Sequence, residues 1–209
     1  MIKSYFQCFV YDEDYSYLRQ SRKHRSRSFV QGFLKYHYNI LNAASASISI
    51  TEITGVNESV QSFAYVRAMN CTSPGRGGWS MAFSNASTYG SSTTTGIVVG
   101  TGTTAVAPTD FALATQILDG TSSGTLEHFP SSGTNFNTSG STASFDLERL
   151  FRNSSGGSIT INEAGVYCVI DENSSVTGHI CLIRDIVSPG FVVNNGEYMR
   201  IVYTISVTA

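Results

Sequence analysis

Near its C-terminal end the chain alternates with a period of two. Met199, Ile201, Tyr203, Ile205 and Val207 fall on one face, and Arg200, Thr204 and Ser206 on the other. Side chains repeat every second residue in a β-strand, whereas a helix of 3.6 residues per turn would scatter these positions around its axis. Val202 lies on the otherwise polar face, which predicts a central strand rather than an edge. The same period recurs upstream. Ile48 and Ile50 alternate with Ser, and Phe63, Tyr65 and Met69 alternate again. Residues 96–100 (GIVVG) read as a short buried strand closed by glycines. Phe145, Leu147 and Phe151 keep period two with Arg149 in register, and Ile159 and Ile161 follow the turn at 153–157. Roughly eight strands with regularly spaced turn signals predict a mainly β fold, an antiparallel β-sandwich of jelly-roll-like form over residues 45–209. Strand–helix–strand alternation is missing from the pattern, which disfavours a parallel α/β fold. Charged residues make up 13 % of the chain, about half the usual share. Ser, Thr, Asn and Gly, all weak helix formers, carry the polarity instead.

Residues 1–44 read differently and are taken as a separate arm and assembly helix. Over 1–27 there is no clear period: Tyr5, Phe6, Phe9, Tyr11, Tyr15 and Tyr17 adjoin the acidic Asp12-Glu13-Asp14. A basic run follows, with Arg19, Arg22, Lys23, Arg25 and Arg27 placing five cations in nine residues. Residues 28–42 predict a short amphipathic helix. Ser28 and Gln31 form a capping box. Phe29, Phe33, Tyr36 and Ile40 make one apolar seam, and Leu34, His37 and Leu41 make a second beside it. Such a face packs either on the chain's own sandwich or on a neighbouring subunit. A further short helix is expected over 110–117, after Pro108. Residues 1–44 hold seven Lys/Arg against three acids, and 45–209 hold six Arg against twelve acids. The basic segment therefore complements the acidic remainder, and contact with nucleic acid and docking on a neighbouring copy both remain open.

Motifs that could carry chemistry are weak. Gly120-Thr-Ser-Ser-Gly124 matches the nucleophile-elbow pattern, but that elbow needs a helix after Ser122 and a strand is expected there. Gly100-Thr-Gly102 lacks the third glycine and the lysine of nucleotide loops, so a tight turn is expected. His24, His37, His128 and His179 are scattered, and the acids at 12–14 and 171–172 lack the alternating oxygen ligands of a calcium loop. No catalytic residue, metal or cofactor is expected. Cys168 and Cys181 flank a predicted hairpin loop over 171–178. A cross-strand disulfide between them is geometrically open, with two buried free thiols the default for a protein made in cytosol. The six N-x-S/T matches, Asn153 among them, carry little weight in so Ser/Thr-rich a chain. No run of about 20 apolar residues is present, so no membrane span or membrane partner is expected.

Three stretches, residues 96–129, 144–168 and 181–207, taken in order with SFVQGFLKYHYNIL at 28–41, resemble a family of largely uncharacterised phage and prophage proteins that are virion-associated and structural. The similarity covers about residues 28–209 and brings no catalytic residue with it. It implies a non-enzymatic virion protein of a tailed bacteriophage, assembled in the host cytoplasm. Its role would be a capsid decoration, a head fibre or a tail-associated component. Its partners would be copies of itself, as a trimer or higher oligomer, and other virion proteins. Two other readings stand beside it. One is a jelly-roll coat protein of a small virus with a genome-facing basic arm. The other is a carbohydrate-binding or adhesive module using exposed aromatics such as Trp79 or Tyr89.

Overall fold

A computed structural model of the chain describes residues 2–26, 29–35, 48–60, 80–82, 93–172 and 176–209. The expected strands at 63–69 lie outside the described residues. In chain order the strands are β1 (Ile2–Tyr11), β2 (Tyr17–Gln20), β3 (His24–Ser26), β4 (Ile48–Thr51), β5 (Asn57–Val60) and β6 (Ser80–Ala82). They continue as β7 (Gly96–Gly100), β8 (Glu127–Ser139), β9 (Thr142–Arg152), β10 (Ile159–Glu172), β11 (Val176–Val193) and β12 (Tyr198–Thr208). Two antiparallel sheets result. The first runs β2-β1-β12-β9-β8, with β3 also against β1. The second runs β11-β10-β6, with β7 on β10, and β4 and β5 form a separate hairpin. As expected, β12 is central, hydrogen-bonded to β1 on one side and β9 on the other.

The N-terminal segment is not an arm. β1 pairs with β12 along its whole length, from Ile2 opposite Val207 to Tyr11 opposite Tyr198. Its inward side chains Phe6, Cys8 and Val10 are buried in the main core. The basic run then returns antiparallel beside β1, as β2 against Phe9–Tyr11 and β3 against Ser4–Phe6. The division at residue 44 therefore fails, because residues 2–26 complete the first sheet. The alternation of β1 was hidden because both of its faces carry aromatics: Phe6 points inward while Tyr5, Phe9 and Tyr11 occupy the outer positions. Without a polar face, period two has no contrast to read.

The main core joins the facing sides of the sheets. From the first come Leu147, Phe151, Met199, Ile201 and Tyr203, and from the second Ile97, Val99, Ile161, Val166, Cys168, Ile180 and Ile183. A smaller cluster on the far side of the second sheet gathers Val98, Tyr167 and Cys181 under Val30 and Leu113. Of the expected helix, residues 31–35 are helical; positions 36–42, with Tyr36, Ile40 and Leu41, lie outside the described residues. The Phe29 and Phe33 rings meet at a tilt of 41° with centroids 4.3 Å apart and pack against the chain's own core. Leu34 is exposed.

Cys168 and Cys181 are free, buried thiols, the default of the sequence reading, and the alternative bridge between them is not formed. Cys168 lies opposite Ile180, and Cys181 opposite Tyr167. This register differs by one residue from a hairpin centred between the two cysteines. One residue moves a side chain to the other face, so Cys168 enters the main core and Cys181 the smaller cluster.

A register shift in β10 between Ile161 and Glu163 has a larger effect. Ile159 and Ile161 face the main core, and after the bulge Ala164, Val166 and Cys168 do so. Glu163 is thereby turned to the opposite face, as bulges characteristically re-aim side chains. It is fully buried there. It accepts hydrogen bonds from the backbone N–H groups of Gly102 (3.2 Å), Ala114 (3.0 Å) and Thr115 (2.7 Å). Arg184, equally buried, donates to it at 3.0 Å, to Asp110 at 2.6 Å and to the Thr104 carbonyl at 2.9 Å. Tyr167 Oη accepts from Leu113 N at 2.6 Å. These bonds replace the expected helix over 110–117. The amides of residues 113, 114 and 115 are held by side chains of β10, and that of Ile117 by the Val99 carbonyl. The Gly100-Thr-Gly102 turn is glycine-rich because a Cβ at either position would collide with the Glu163 carboxylate.

Two outcomes follow from this architecture. A chain lacking residues 1–11 should lose its cooperative thermal transition, and Phe6→Ala should lower unfolding free energy in urea by about 3–5 kcal/mol. Arg184→Met should cost about 3–5 kcal/mol by leaving Glu163 buried without its cation, and adding Glu163→Gln should recover part of that loss.

Candidate functional surface

The side chains of β1, β12 and β9 that do not face the core form the outer side of the first sheet. Strand register sets them in rows: Tyr11–Tyr198–Arg152, Phe9–Arg200–Leu150, Gln7–Val202–Glu148 and Tyr5–Thr204–Asp146. All are half-buried by their neighbours. At the hairpin end, Tyr15 stacks on Tyr198 at 4.3 Å, Arg152 lies 5.4 Å over the Tyr198 ring, and Tyr17 meets Tyr11 edge-on at 6.2 Å. Tyr15 and Tyr17 remain about half exposed, each at 54 %.

Across the middle rows runs a trough of about 200 Å³, from Lys23 beside β3 to Asn135 on β8. Its charges are internally matched. Arg200 meets Glu148 at 3.4 Å and lies 5.0 Å over the Phe9 ring, and Lys23 lies 5.1 Å over Tyr5. Asp146 accepts from Thr204 Oγ1 at 2.7 Å and Asn135 Nδ2 at 2.9 Å. Arg200 Nε is buried and has no hydrogen-bond partner among the described residues. The alternation of β12 made Arg200 and Thr204 legible as outward residues. Tyr5, Gln7 and Phe9 were missed with β1 itself.

The basic residues are built into this sheet rather than projecting as an arm. Arg19 forms a two-pronged ion pair with Glu197, at 2.8 and 2.6 Å, and donates to the Val192 carbonyl at 2.8 Å. That contact ties β2 to the β11–β12 turn of its own chain. Arg22, Lys23 and Arg25 are exposed; Arg27 lies outside the described residues, as do Trp79 and Tyr89. The acids at 12–14 shape the β1–β2 turn: Asp12 Oδ1 accepts from the amides of Asp14 at 3.0 Å and Ser16 at 2.8 Å.

Ser122 sits in an exposed turn between Gly120 and Gly124, its carbonyl accepting from Thr125, and the chain leads into β8 rather than a helix. Asn153 is fully buried with its amide engaged by Gly157, Val193 and Ser155, which bars it from glycosylation. Arg149, buried where β7 meets β8 and β9, donates to the carbonyls of Phe129 (2.6 Å), Thr95 (3.1 Å) and Ile97 (2.8 Å). Burial pulls its pKa down to about 10, opposed by the charge of Asp119. Among the described residues, no group of three or more His, Cys, Asp or Glu is placed to hold a metal ion. Nor is any helix among them long and apolar enough to cross a membrane. No protein-family model, curated protein or solved structure matches the chain.

The ion pair at the hairpin end is the most strongly shifted exposed-side titration. The hydrogen bonds from Arg19 hold the Glu197 carboxyl at about 2, below its ordinary 4.5, against desolvation and with help from the Asn194 amide. A depressed carboxylate stabilises the fold above its unfolded pKa and stops doing so as pH falls through its folded one. The melting temperature of the wild type should therefore exceed that of Glu197→Gln at neutral pH. The gap should close between about pH 4.5 and about pH 2; a constant gap across that window would remove Glu197 from the acid response.

Proposed function

We propose that the chain is a structural, non-enzymatic subunit of a virus particle, in a tailed bacteriophage, and that it works by associating with copies of itself. Its two antiparallel sheets then form a β-sandwich of jelly-roll-like form. The role is that of a capsid decoration, a head fibre or a tail-associated component within the virion. Association with copies rests on β8. This strand ends the first sheet, so the ladder groups on its far side are unpaired by any described strand. From Phe129 to Ser139 it carries no charged side chain. Natural edge strands are guarded by charge, by proline or by bulges; β8 has Pro130 and two bulges but lacks the charge, which leaves its edge only partly closed to another chain. Between Thr134 and Asn137 the ladder bulges, with Asn135 at φ 53°, and Phe136 there is 77 % exposed, more than any other large apolar side chain described.

The particle itself is supported by the resemblance of residues 28–209 to virion-associated proteins, and by the low charge and high hydroxyl content of the chain. The basic run supports the coat-protein alternative less than the sequence implied, since Arg19 is engaged within its own subunit.

Native mass measurement of the full chain should give a trimer or higher oligomer. Phe136→Asp should shift that population toward monomer without lowering the melting temperature, because the side chain is exposed and replaces no core contact. A wild-type chain that is monomeric at every concentration, and missing from purified particles, would overturn the proposal.

A further inference from the structure

We propose that the trough across the outer side of the first sheet binds a neutral sugar residue of a glycan. This goes beyond the assembly role and does not depend on it. The trough crosses β1, β12, β9 and β8, and its lining mixes three kinds of group. Val202 and the edges of the Tyr5 and Phe9 rings, whose faces Lys23 and Arg200 cover, offer apolar surface. Asp146 and Glu148 offer acceptors, and Gln7, Asn135 and Arg200 offer donors. Such a mixture matches a ring that has C–H faces and hydroxyls around its rim, since each hydroxyl both donates and accepts.

The charges narrow the ligand. Lys23 and Arg200 balance Asp146 and Glu148 within the trough, so it selects neither an anion nor a cation. A nucleic acid or an acidic peptide would call for a surplus of cations. The polar groups are also incompletely used. Each Asp146 oxygen accepts one bond, and Glu148 has only a long 3.4 Å contact to Arg200 through one oxygen. Arg200 Nε, buried among these residues, has no hydrogen-bond acceptor among the described residues. A hydroxyl placed between Arg200 and Glu148 would accept from the first and donate to the second. Hydrogen bonds to ionised groups of this kind are the stronger ones. Trp79 and Tyr89, the aromatics that the sequence offered for the same chemistry, lie outside the described residues.

The test uses the full chain on an array of neutral and sialylated oligosaccharides, followed by calorimetry with each neutral oligosaccharide retained. At least one neutral glycan should bind. Glu148→Gln and Gln7→Ala should each weaken it about tenfold through loss of one good hydrogen bond. Neither variant should change the native mass, and Glu148→Gln should leave the melting temperature in place because it alters one long contact to Arg200. Gln7→Ala also removes the 3.0 Å bond from Gln7 Nε2 to the Ser21 carbonyl, so its affinity is read well below its own melting temperature. Retention of no glycan, retention of sialylated glycans alone, or a neutral-glycan affinity indifferent to both substitutions would each overturn the assignment. Because the native mass is read on the same samples, failure here is distinguishable from failure of the assembly proposal.

Discussion

The carboxylate of Glu163 organises more of the molecule than any other single group. A bare carboxylate in an apolar interior is strongly disfavoured, so its burial requires nearly complete pairing. Here the pairing comes from three backbone amides and Arg184, which in turn reaches Asp110 and the Thr104 carbonyl. The long irregular stretch between β7 and β8 thus obtains from side chains the hydrogen bonds that a helix would have made internally. Once anchored, it presses Leu113 onto Val98 and Tyr167 and closes the second sheet from outside. The bulge in β10 is the precondition, since strict alternation from Ile161 would aim the same carboxylate at the main core.

The two sheets therefore meet solvent differently. The second is roofed by the 101–117 stretch and by the helical residues 31–35, with Val30 buried beneath them. Among the described residues the first has no such roof along β1, β12 and β9, and its outer side chains shield one another by cation–aromatic and ion-pair contacts instead. Contacts of that kind leave ring edges and carboxylate lone pairs available. An approaching partner would meet this side already ordered, which limits the entropy lost on contact.

What the sequence revealed depended on contrast. β12 was legible because Met199, Ile201 and Tyr203 alternate with Arg200 and Thr204, and its central place followed from Val202. β9 was legible even with a buried arginine in it, because Arg149 kept the period of Leu147 and Phe151. β1 was opaque because Tyr5, Phe6, Phe9 and Val10 blur the two faces. The stretch at 110–117 was misread because local propensity cannot foresee that a carboxylate about fifty residues later captures its amides, as tertiary context often overrides propensity. The cysteines are buried free thiols, as the default reading had them, but they are one residue of register away from the directly opposite placement that a hairpin centred between them would give. The trough was beyond sequence reasoning for a related reason: its rows join β1 to β12 and β9, and only the ladder brings them together.

The ladder between β1 and β12 also has a mechanical meaning. Lys3 and Ser206, 203 positions apart along the chain, are in contact, and the antiparallel register places Ile2 beside Val207. Both outermost strands of the sequence thus end at the same pole of the sheet. Tension applied between those two ends would load the hydrogen bonds one pair at a time, opening the sheet like a zip. Tension applied at one end and resisted by the far pole, near the Asp12–Ser16 turn, would instead load the whole row in shear. A chain folded this way withstands pull from a single tether far better than from two.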